Sequence, residues 1–113
     1  MKKKVYISGQ ITGLPYVVYS IHFQRGEDAV LVKGNRQPVN PTKMWGRLQP
    51  LFNRLPYWLQ LLLDLWRLRG CDEILMLPNY RQSPGAKVEL SYAKALGLDV
   101  WFLSPTSLSF NYA

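Results

Sequence analysis

Short runs of β-branched and aromatic residues alternate along this chain with longer segments in which apolar residues recur at helical spacing. The short runs predict four strands, at residues 4–8, 37–40, 73–77 and 99–103. The longer segments predict three helices, at residues 16–33, 56–70 and 84–96. Two segments fit neither period: an irregular helix or loop at residues 42–54 and a C-terminal tail at residues 104–113.

Glycine, proline and serine mark the ends of the predicted helices. Pro56 stands in the first turn of the second helix, and Gly70 stands at its end. Ser83 provides an N-cap for the third helix, and Pro84 suits its first helical position. Gly34 closes the first helix as a C-cap. The core positions that we predict in the first helix are Val17, Ile21, Phe23, Val30 and Leu31.

The order strand, helix, strand, helix, strand, helix, strand favours an α/β fold. We predict a single-domain three-layer sandwich with a mainly parallel four-stranded sheet flanked by helices, as in flavodoxin-like and Rossmann-like proteins. The 113 residues suit one domain, at residues 1–103, followed by the tail. Such sheets bind ligands at the carboxyl ends of their strands. The residues expected there are Ser8, Gly9, Gln10, Asn40, Pro41, Pro78, Asn79 and Ser104.

Composition excludes several classes of protein. A single cysteine excludes a disulfide framework, and one cysteine with one histidine excludes the common zinc patterns, so we expect no metal and no cofactor. No run of about 18 apolar residues is present. The basic N-terminus precedes only a short strand-like run, unlike a secretory signal. We therefore expect a soluble cytoplasmic domain without a membrane partner.

The net charge of +7 suits an anionic partner such as a nucleotide, a nucleic acid or phosphate. Only Lys2, Lys3 and Lys4 cluster, and the other cations are scattered without interleaved aromatic residues. The charge is therefore interpreted as a solvated surface, and we do not expect nucleic acid to bind.

The predicted helix 84–96 carries a carboxylate on its apolar side. At about 100° per residue, Lys87, Ser91 and Lys94 share one face, while Glu89 falls among apolar residues on the other. Carboxylates are rarely buried without a partner or a function. Two interpretations follow: a residue at the edge of the apolar stripe that pairs with a lysine or caps a loop, or a functional carboxylate.

The predicted helix 56–70 has a narrow polar stripe of Gln60, Asp64 and Arg67. Asp64 and Arg67 could simply pair on a solvent face. The remaining arc is wider than one face of a sheet requires, which favours a subunit interface in addition to a core. Its apolar members are Trp58, Leu61, Leu62, Leu65 and Leu68.

Four segments together resemble the nucleoside 2-deoxyribosyltransferase-like superfamily. They are YISGQITGLP from Tyr6, VNP from Val39, DLWRLRGCDEILMLPN from Asp64 and SPGAKVELSYAKALGL from Ser83. The resemblance covers residues 4–101 and is strongest to short bacterial and phage members whose domain has no assigned function.

The resemblance implies roles for individual residues. Gly85 and Glu89 match the family's G-x-x-x-E run, which makes Glu89 the expected nucleophile. Tyr6 matches the tyrosine that orients it, and Asp64 matches an aspartate that contacts the substrate. The implied substrate-binding residues are Ser8, Gly9, Gln10, Asn79, Ser83 and Gly85.

One departure from the family leaves the charge of the substrate open. The branch that hydrolyses deoxynucleoside monophosphates holds phosphate with a serine and an arginine, where this chain has Gln10 and Thr12. Ser83 nevertheless resembles that branch's phosphate-side serine.

The function implied is cleavage of the N-glycosidic bond of a 2-deoxynucleoside or its 5′-monophosphate, by an N-glycosidase or a deoxyribosyltransferase. A non-catalytic nucleotide-binding or sensing module on the same fold is the main alternative, and an interaction protein that uses Trp58 and Trp66 is a third. The resemblance also implies a homodimer or higher homo-oligomer. Ser104, Asn111 or the terminal carboxylate would then contact a neighbouring subunit.

Overall fold

Five strands and four helices make up the structure, a computed structural model that describes residues 2–112 and, at Phe110 and Tyr112, the backbone alone. The strands are β1 (Lys3–Ser8), β2 (Arg36–Val39), β3 (Glu73–Met76), β4 (Asp99–Leu103) and β5 (Phe110–Tyr112). The helices are α1 (Tyr16–Lys33), α2 (Gln49–Asn53), α3 (Tyr57–Leu68) and α4 (Pro84–Leu96). Short 3₁₀ turns lie at Gly46–Leu48 and Tyr80–Gln82.

The sheet has the order β2-β1-β3-β4-β5, and β1 to β4 are parallel. The predicted three-layer α/β sandwich with a parallel four-stranded sheet is therefore confirmed. The fifth strand was not predicted. Within the segment interpreted as a tail, β5 pairs antiparallel with β4, and Asn111 lies opposite Phe102. A strand of three residues is too short for alternation to reveal it.

Alternating side chains of β1 supply the two hydrophobic cores. Val5 and Ile7 face α1 and pack in one cluster with Phe23 and Val30. Tyr6 faces the opposite side. There it shares a cluster with residues of β3, α3 and α4, among them Ile74, Met76, Leu68, Ala86 and Ala93. The period of two along β1 thus assigns α1 to one face of the sheet and α3 with α4 to the other.

Of the five core positions predicted in α1, two are buried and three are exposed. Phe23 and Val30 are fully buried, but Val17, Ile21 and Leu31 are 66%, 61% and 58% exposed. At about 100° per residue, Val17 and Ile21 lie across the helix from Phe23 and Val30, and Leu31 lies about a quarter turn from them. Apolar residues surround α1, so its sequence does not reveal which side meets the sheet.

Two glycines let α1 and the loop after β1 approach the sheet closely. A Cβ at Gly26 would lie 3.0 Å from Cγ2 of Ile7 and 3.1 Å from Cδ2 of Leu77. A Cβ at Gly9 would lie 2.6 Å from Cδ1 of Leu77 and 2.9 Å from its Cβ. A side chain at Gly9 would therefore overlap Leu77, and one at Gly26 would require Ile7 and Leu77 to shift by a few tenths of an ångström.

A buried ion pair joins three strands at the other end of the sheet. Glu73 is 1% exposed. Its Oε1 accepts from Nε of Arg36 at 2.7 Å, and its Oε2 accepts from Nε1 of Trp101 at 2.9 Å. Both oxygens of this carboxylate have donors, one of them cationic, as buried structural carboxylates require.

The remaining boundaries differ from the prediction by a residue or two. Strand β2 ends at Val39, so the buried Asn40 lies in the following turn, where its Oδ1 accepts from the Thr42 backbone at 2.9 Å. Residues 42–54 hold a 3₁₀ turn and the five-residue α2. No helix within residues 2–112 has the combined length and hydropathy that a bilayer crossing needs.

We expect Gly9→Ala to lower the free energy of unfolding by about 1–3 kcal/mol, because the added methyl group overlaps Leu77. Urea denaturation followed by circular dichroism measures the change. Gly70→Ala is the matched control, since its Cβ would meet only the Arg67 carbonyl oxygen at an ordinary 3.5 Å. Equal effects of the two substitutions would contradict the close approach at Gly9.

Candidate functional site

Two hydroxyl groups of β1 hold the carboxylate of Glu89. Tyr6 and Ser8 are two residues apart, so both side chains project from the same face of the strand toward α4. The Tyr6 hydroxyl donates to Oε2 of Glu89 at 2.5 Å, and the Ser8 hydroxyl donates to Oε1 at 2.7 Å. Such distances are typical of hydroxyl groups that donate to an ionised carboxylate. All three residues are buried, with Glu89 only 6% exposed.

Helix α4 is anchored so that Glu89 meets these donors. The Ser83 hydroxyl accepts from the Ala86 backbone N–H at 3.1 Å, which confirms the predicted N-cap. Gly97 ends the helix in the left-handed conformation, with φ of 77°. Between the two caps, the small Gly85, Ala86 and Ala93 let the helix pack with Glu89 turned inward.

Asp64 brings a second carboxyl group to the site. It lies on α3 beside a cleft that Glu89 also lines. Its Oδ1 is buried and has no hydrogen-bond partner among the described residues. The simple pairing of Asp64 with Arg67 is wrong, since neither ion pair of the described residues involves Asp64. The physical reason is the helical turn: Asp64 follows Gln60 into the cleft, while Arg67 lines a separate groove.

Burial is the largest cause of the raised pKa of both carboxyl groups. It raises the pKa of Glu89 from 4.5 to about 7, against the opposing effect of the hydroxyl donors Tyr6 and Ser8. It raises the pKa of Asp64 from 3.8 to about 8, with a further contribution from the charge of Glu89. Because the carboxyl groups interact, these values belong to the pair. Both carboxyl groups therefore titrate near neutral pH, and the larger rise in pKa is that of Asp64.

The cleft consists of two neighbouring compartments. The compartment next to Glu89, called the inner one, has a volume of about 60 Å³ and is bounded by Glu89 and Asp64 and by residues of the loop after β1, of α3 and of the start of α4. Those residues are Gly9, Ile11, Thr12, Tyr57, Gln60, Leu61, Ser83, Gly85 and Ala86. The outer one, of about 150 Å³, shares Ile11, Gln60 and Asp64 with it. Aromatic rings from Tyr16, Tyr19 and Phe52 contribute to its wall.

Most of the residues predicted for the site are brought together. Gly9, Asp64, Ser83, Gly85 and Glu89 line the inner compartment. Tyr6 and Ser8 stand directly behind it as the donors to Glu89.

Gln10 and Asn79 are not in the lining of either compartment. The Gln10 backbone N–H donates to Oδ1 of Asn79 at 3.3 Å, and Nδ2 of Asn79 lies 3.3 Å from Nδ1 of His22. The Gln10 side chain donates to the Thr12 carbonyl at 3.2 Å. These residues therefore hold the loop after β1 in place beside the cleft.

Tyr57 is the site residue that the sequence did not reveal. Its ring is on α3, seven residues before Asp64, and its hydroxyl group faces the inner compartment. Burial raises the pKa of Tyr57, and the charges of Glu89 and Asp64 raise it further. Helical spacing offered a signal, because residues 57, 60 and 64 share one face of a helix.

The described lysine and arginine side chains lie outside the lining of the carboxylate cleft. A groove of about 340 Å³ at the C-terminal end of α3 is lined by Lys4, Arg67 and Arg69 beside Trp66. It is larger than the carboxylate cleft, but the paired acids are absent from its lining. Within residues 2–112, no group of three or more His, Cys, Asp or Glu side chains is arranged to hold a metal ion.

The chain belongs to the family described as Domain of unknown function (DUF4406), whose model matches residues 3–102. Among curated proteins and solved structures, none matches the chain. The match spans nearly all of β1 through β4, and so includes every residue of the carboxylate cleft.

We expect Glu89→Gln to gain stability relative to the wild type as the pH rises. Burial raises the pKa of Glu89 from 4.5 to about 7, so the folded protein binds this proton more tightly than the unfolded chain does. Ionisation of Glu89 therefore destabilises the fold progressively as the pH rises from about 4.5 to 7, and glutamine removes that effect. Urea denaturation at pH 5 and pH 8 should show the difference growing by about 1–3 kcal/mol in favour of the variant. A difference that shrinks over this interval would contradict the buried, destabilised carboxylate.

Proposed function

We propose that this protein cleaves the N-glycosidic bond of a 2-deoxynucleoside or its 5′-monophosphate, with Glu89 as nucleophile. The observation that carries the proposal is a buried carboxylate that two hydroxyl groups hold at the wall of a cleft, without a cationic partner among the described residues. The resemblance of the site segments to the nucleoside 2-deoxyribosyltransferase-like superfamily supports the same reaction.

The contrast with Glu73 favours chemistry over structure as the role of Glu89. Glu73 is neutralised by Arg36 and fully supplied with donors, as a structural carboxylate should be. Glu89 is also buried, but its donors among the described residues are two neutral hydroxyl groups, and its pKa is raised to about 7. A carboxylate kept in this destabilised state beside a cleft is typical of a catalytic group.

The chemistry matches what a carboxylate can do at a sugar carbon. Cleavage of a glycosidic bond passes through an oxocarbenium-like transition state, which a nearby negative charge stabilises. Glu89 would form a bond to C1′ as the bond from C1′ to the base nitrogen breaks. The electron pair of that bond leaves with the base. Tyr6 and Ser8 position the carboxylate and keep part of it ionised at neutral pH.

Asp64 supplies the proton in this scheme. With its pKa raised to about 8, it is protonated when Glu89 has already lost its proton. It can therefore protonate the leaving base, directly or through one water molecule. Water in a hydrolase, or a second base in a transferase, would then displace Glu89 from C1′ and regenerate its carboxylate, while the ionised Asp64 takes up the proton that the water or base loses. Two displacements at C1′ give net retention of configuration.

The two compartments suit the two halves of a nucleoside. The sugar would occupy the inner compartment against Glu89, and the flat base would extend into the outer one. There the Tyr16 and Tyr19 rings lie edge to face at 5.5 Å, and Phe52 stacks with Trp45 at 5.2 Å. Such rings favour a planar apolar ligand.

The proposal includes a cytoplasmic homo-oligomer. Cys71 is a buried free thiol, which suits a reducing compartment. Trp58, Leu62 and Trp66 recur every four residues on α3 and are 63%, 54% and 61% exposed. This apolar stripe supports burial against a second copy of the chain. Ser104 and Asn111 remain residues proposed to reach a neighbouring subunit, and the terminal carboxylate, the third candidate, lies outside the described residues.

The decisive experiment is a panel of 2-deoxynucleosides and their 5′-monophosphates, incubated with and without a second base. Liquid chromatography measures free base and exchanged nucleoside. We expect base release or exchange by the wild type and its loss, by at least about a hundredfold, in Glu89→Ala. Turnover that persists in Glu89→Ala, or no turnover of any member, would overturn the proposal. Binding without turnover would favour a nucleotide-binding module.

The activity measured in the same assay should depend on pH. Activity requires Glu89 ionised and Asp64 protonated, so it should fall below about pH 7 and above about pH 8. In Asp64→Asn, the alkaline limb should disappear and the maximal rate should drop. An activity that rises steadily to pH 10 would contradict the role of Asp64.

Light scattering tests the oligomer. We expect a dimer or larger species at tens of micromolar, and Trp58→Glu should shift it toward the monomer because the charge cannot be buried in an apolar contact. Arg54→Glu also places a glutamate at an exposed position, with a larger change in charge than Trp58→Glu, and serves as the control. A wild-type protein that is strictly monomeric would contradict the shared interface.

A further inference from the structure

The carboxylate cleft has no cation in its wall. All 14 lysine and arginine residues fall within the part of the chain that the structure describes, and none lines either compartment. Two carboxyl groups, Glu89 and Asp64, are the ionisable acids of the cleft. A phosphate monoester placed there would bring its negative charge to a carboxylate with nothing of opposite sign to neutralise it.

The backbone N–H groups in the first turn of a helix are the other usual hydrogen-bond donors to phosphate. In α4, most of these groups already have partners within the protein. Pro84 has no N–H to offer. The Ala86 N–H donates to the Ser83 hydroxyl at 3.1 Å, and the Lys87 N–H donates to the Ser83 carbonyl at 3.1 Å. That leaves the Gly85 backbone as the one point in this turn where a phosphate oxygen could approach.

The Tyr57 hydroxyl occupies that point. It lies so close to Gly85 that a Cβ on residue 85 would collide with it. A hydrogen bond from the Gly85 backbone to this oxygen lowers the Tyr57 pKa, whereas burial and the charges of the two carboxylates raise it by more. Glycine at position 85 therefore makes room for the tyrosine oxygen, which stands where a phosphate oxygen would have to bind.

We propose that the cleft accepts an uncharged nucleoside and discriminates against its 5′-monophosphate, with Tyr57 as the specificity-determining residue that occupies the phosphate position at the start of α4. This inference rests on the proposed function and narrows its substrate class. Ser83 is then a helix cap whose hydroxyl is engaged by Ala86, and it is not a phosphate ligand. The hydroxyl group of Tyr57 is free to donate to an uncharged ligand group or to a carboxylate oxygen in the cleft.

The test compares each deoxynucleoside with its own 5′-monophosphate in the wild type, Tyr57→Phe and Tyr92→Phe. We expect wild-type kcat/KM to favour the nucleoside by about tenfold or more. Tyr57→Phe frees the Gly85 N–H and should lower this preference by about three- to tenfold, mainly by improving the monophosphate. Tyr92 lies on α4 outside the cleft lining, so Tyr92→Phe should leave the preference unchanged.

A binding measurement separates failure of this inference from failure of the proposed function. Calorimetry with Glu89→Gln, titrated with a deoxynucleoside and with its monophosphate, requires no turnover. Nucleoside binding that is stronger than monophosphate binding supports the inference. A monophosphate that is bound or cleaved better than its nucleoside overturns it and leaves the proposed reaction standing. A preference that is the same in Tyr57→Phe as in the wild type overturns the role of Tyr57. Absence of binding and cleavage for both ligands overturns the proposed function and this inference with it.

Discussion

The two hydrogen bonds from Tyr6 and Ser8 to Glu89 are the interaction on which the rest of the site depends. A carboxylate buried to 6% exposure would lose its charge in an apolar setting, because burial favours the protonated form. The two hydroxyl donors oppose this and leave the pKa of Glu89 at about 7, within reach of physiological pH. The same contacts join β1 to α4, so the geometry of the sheet determines the position of this carboxylate. Burial of the ionised form of Glu89 lowers stability, a cost that the proposed catalytic role would explain.

The charged side chains of the molecule are unevenly distributed between the cleft and the rest of the surface. The protein carries a net charge of +7, yet the described residues that line the cleft include two acids and no lysine or arginine. Cations gather instead in the groove of Lys4, Arg67 and Arg69 at the far end of α3. Because those charges are outside the cleft, burial raises the pKa of both carboxyl groups, and the charge of Glu89 raises that of Asp64 further. Under the proposed function, this difference would suit Glu89 to act as nucleophile and Asp64 as acid.

Much of this arrangement could be predicted from local pattern. The run of β-branched and aromatic residues at 4–8 predicted a strand, and helical spacing placed Glu89 among apolar residues. Both conclusions depend on residues within a single element. The orientation of α1 could not be predicted because apolar residues surround it, and Val17, Ile21 and Leu31 prove to be exposed. The place of Asp64 and Tyr57 depends on how α3 packs against α4, which is a tertiary contact that no local pattern encodes. Strand β5 was missed because three residues are too few to show alternation.

The most direct test of the account is a search for the covalent intermediate on Glu89. The protein would be mixed with a 2-deoxynucleoside whose 2-fluoro substituent slows release of the sugar, quenched in acid and examined by intact-protein and peptide mass spectrometry. The account predicts one added sugar per chain, attached to the peptide that contains Glu89 and absent from Glu89→Gln. Base release without an adduct on Glu89, or an adduct on a different residue, would contradict it.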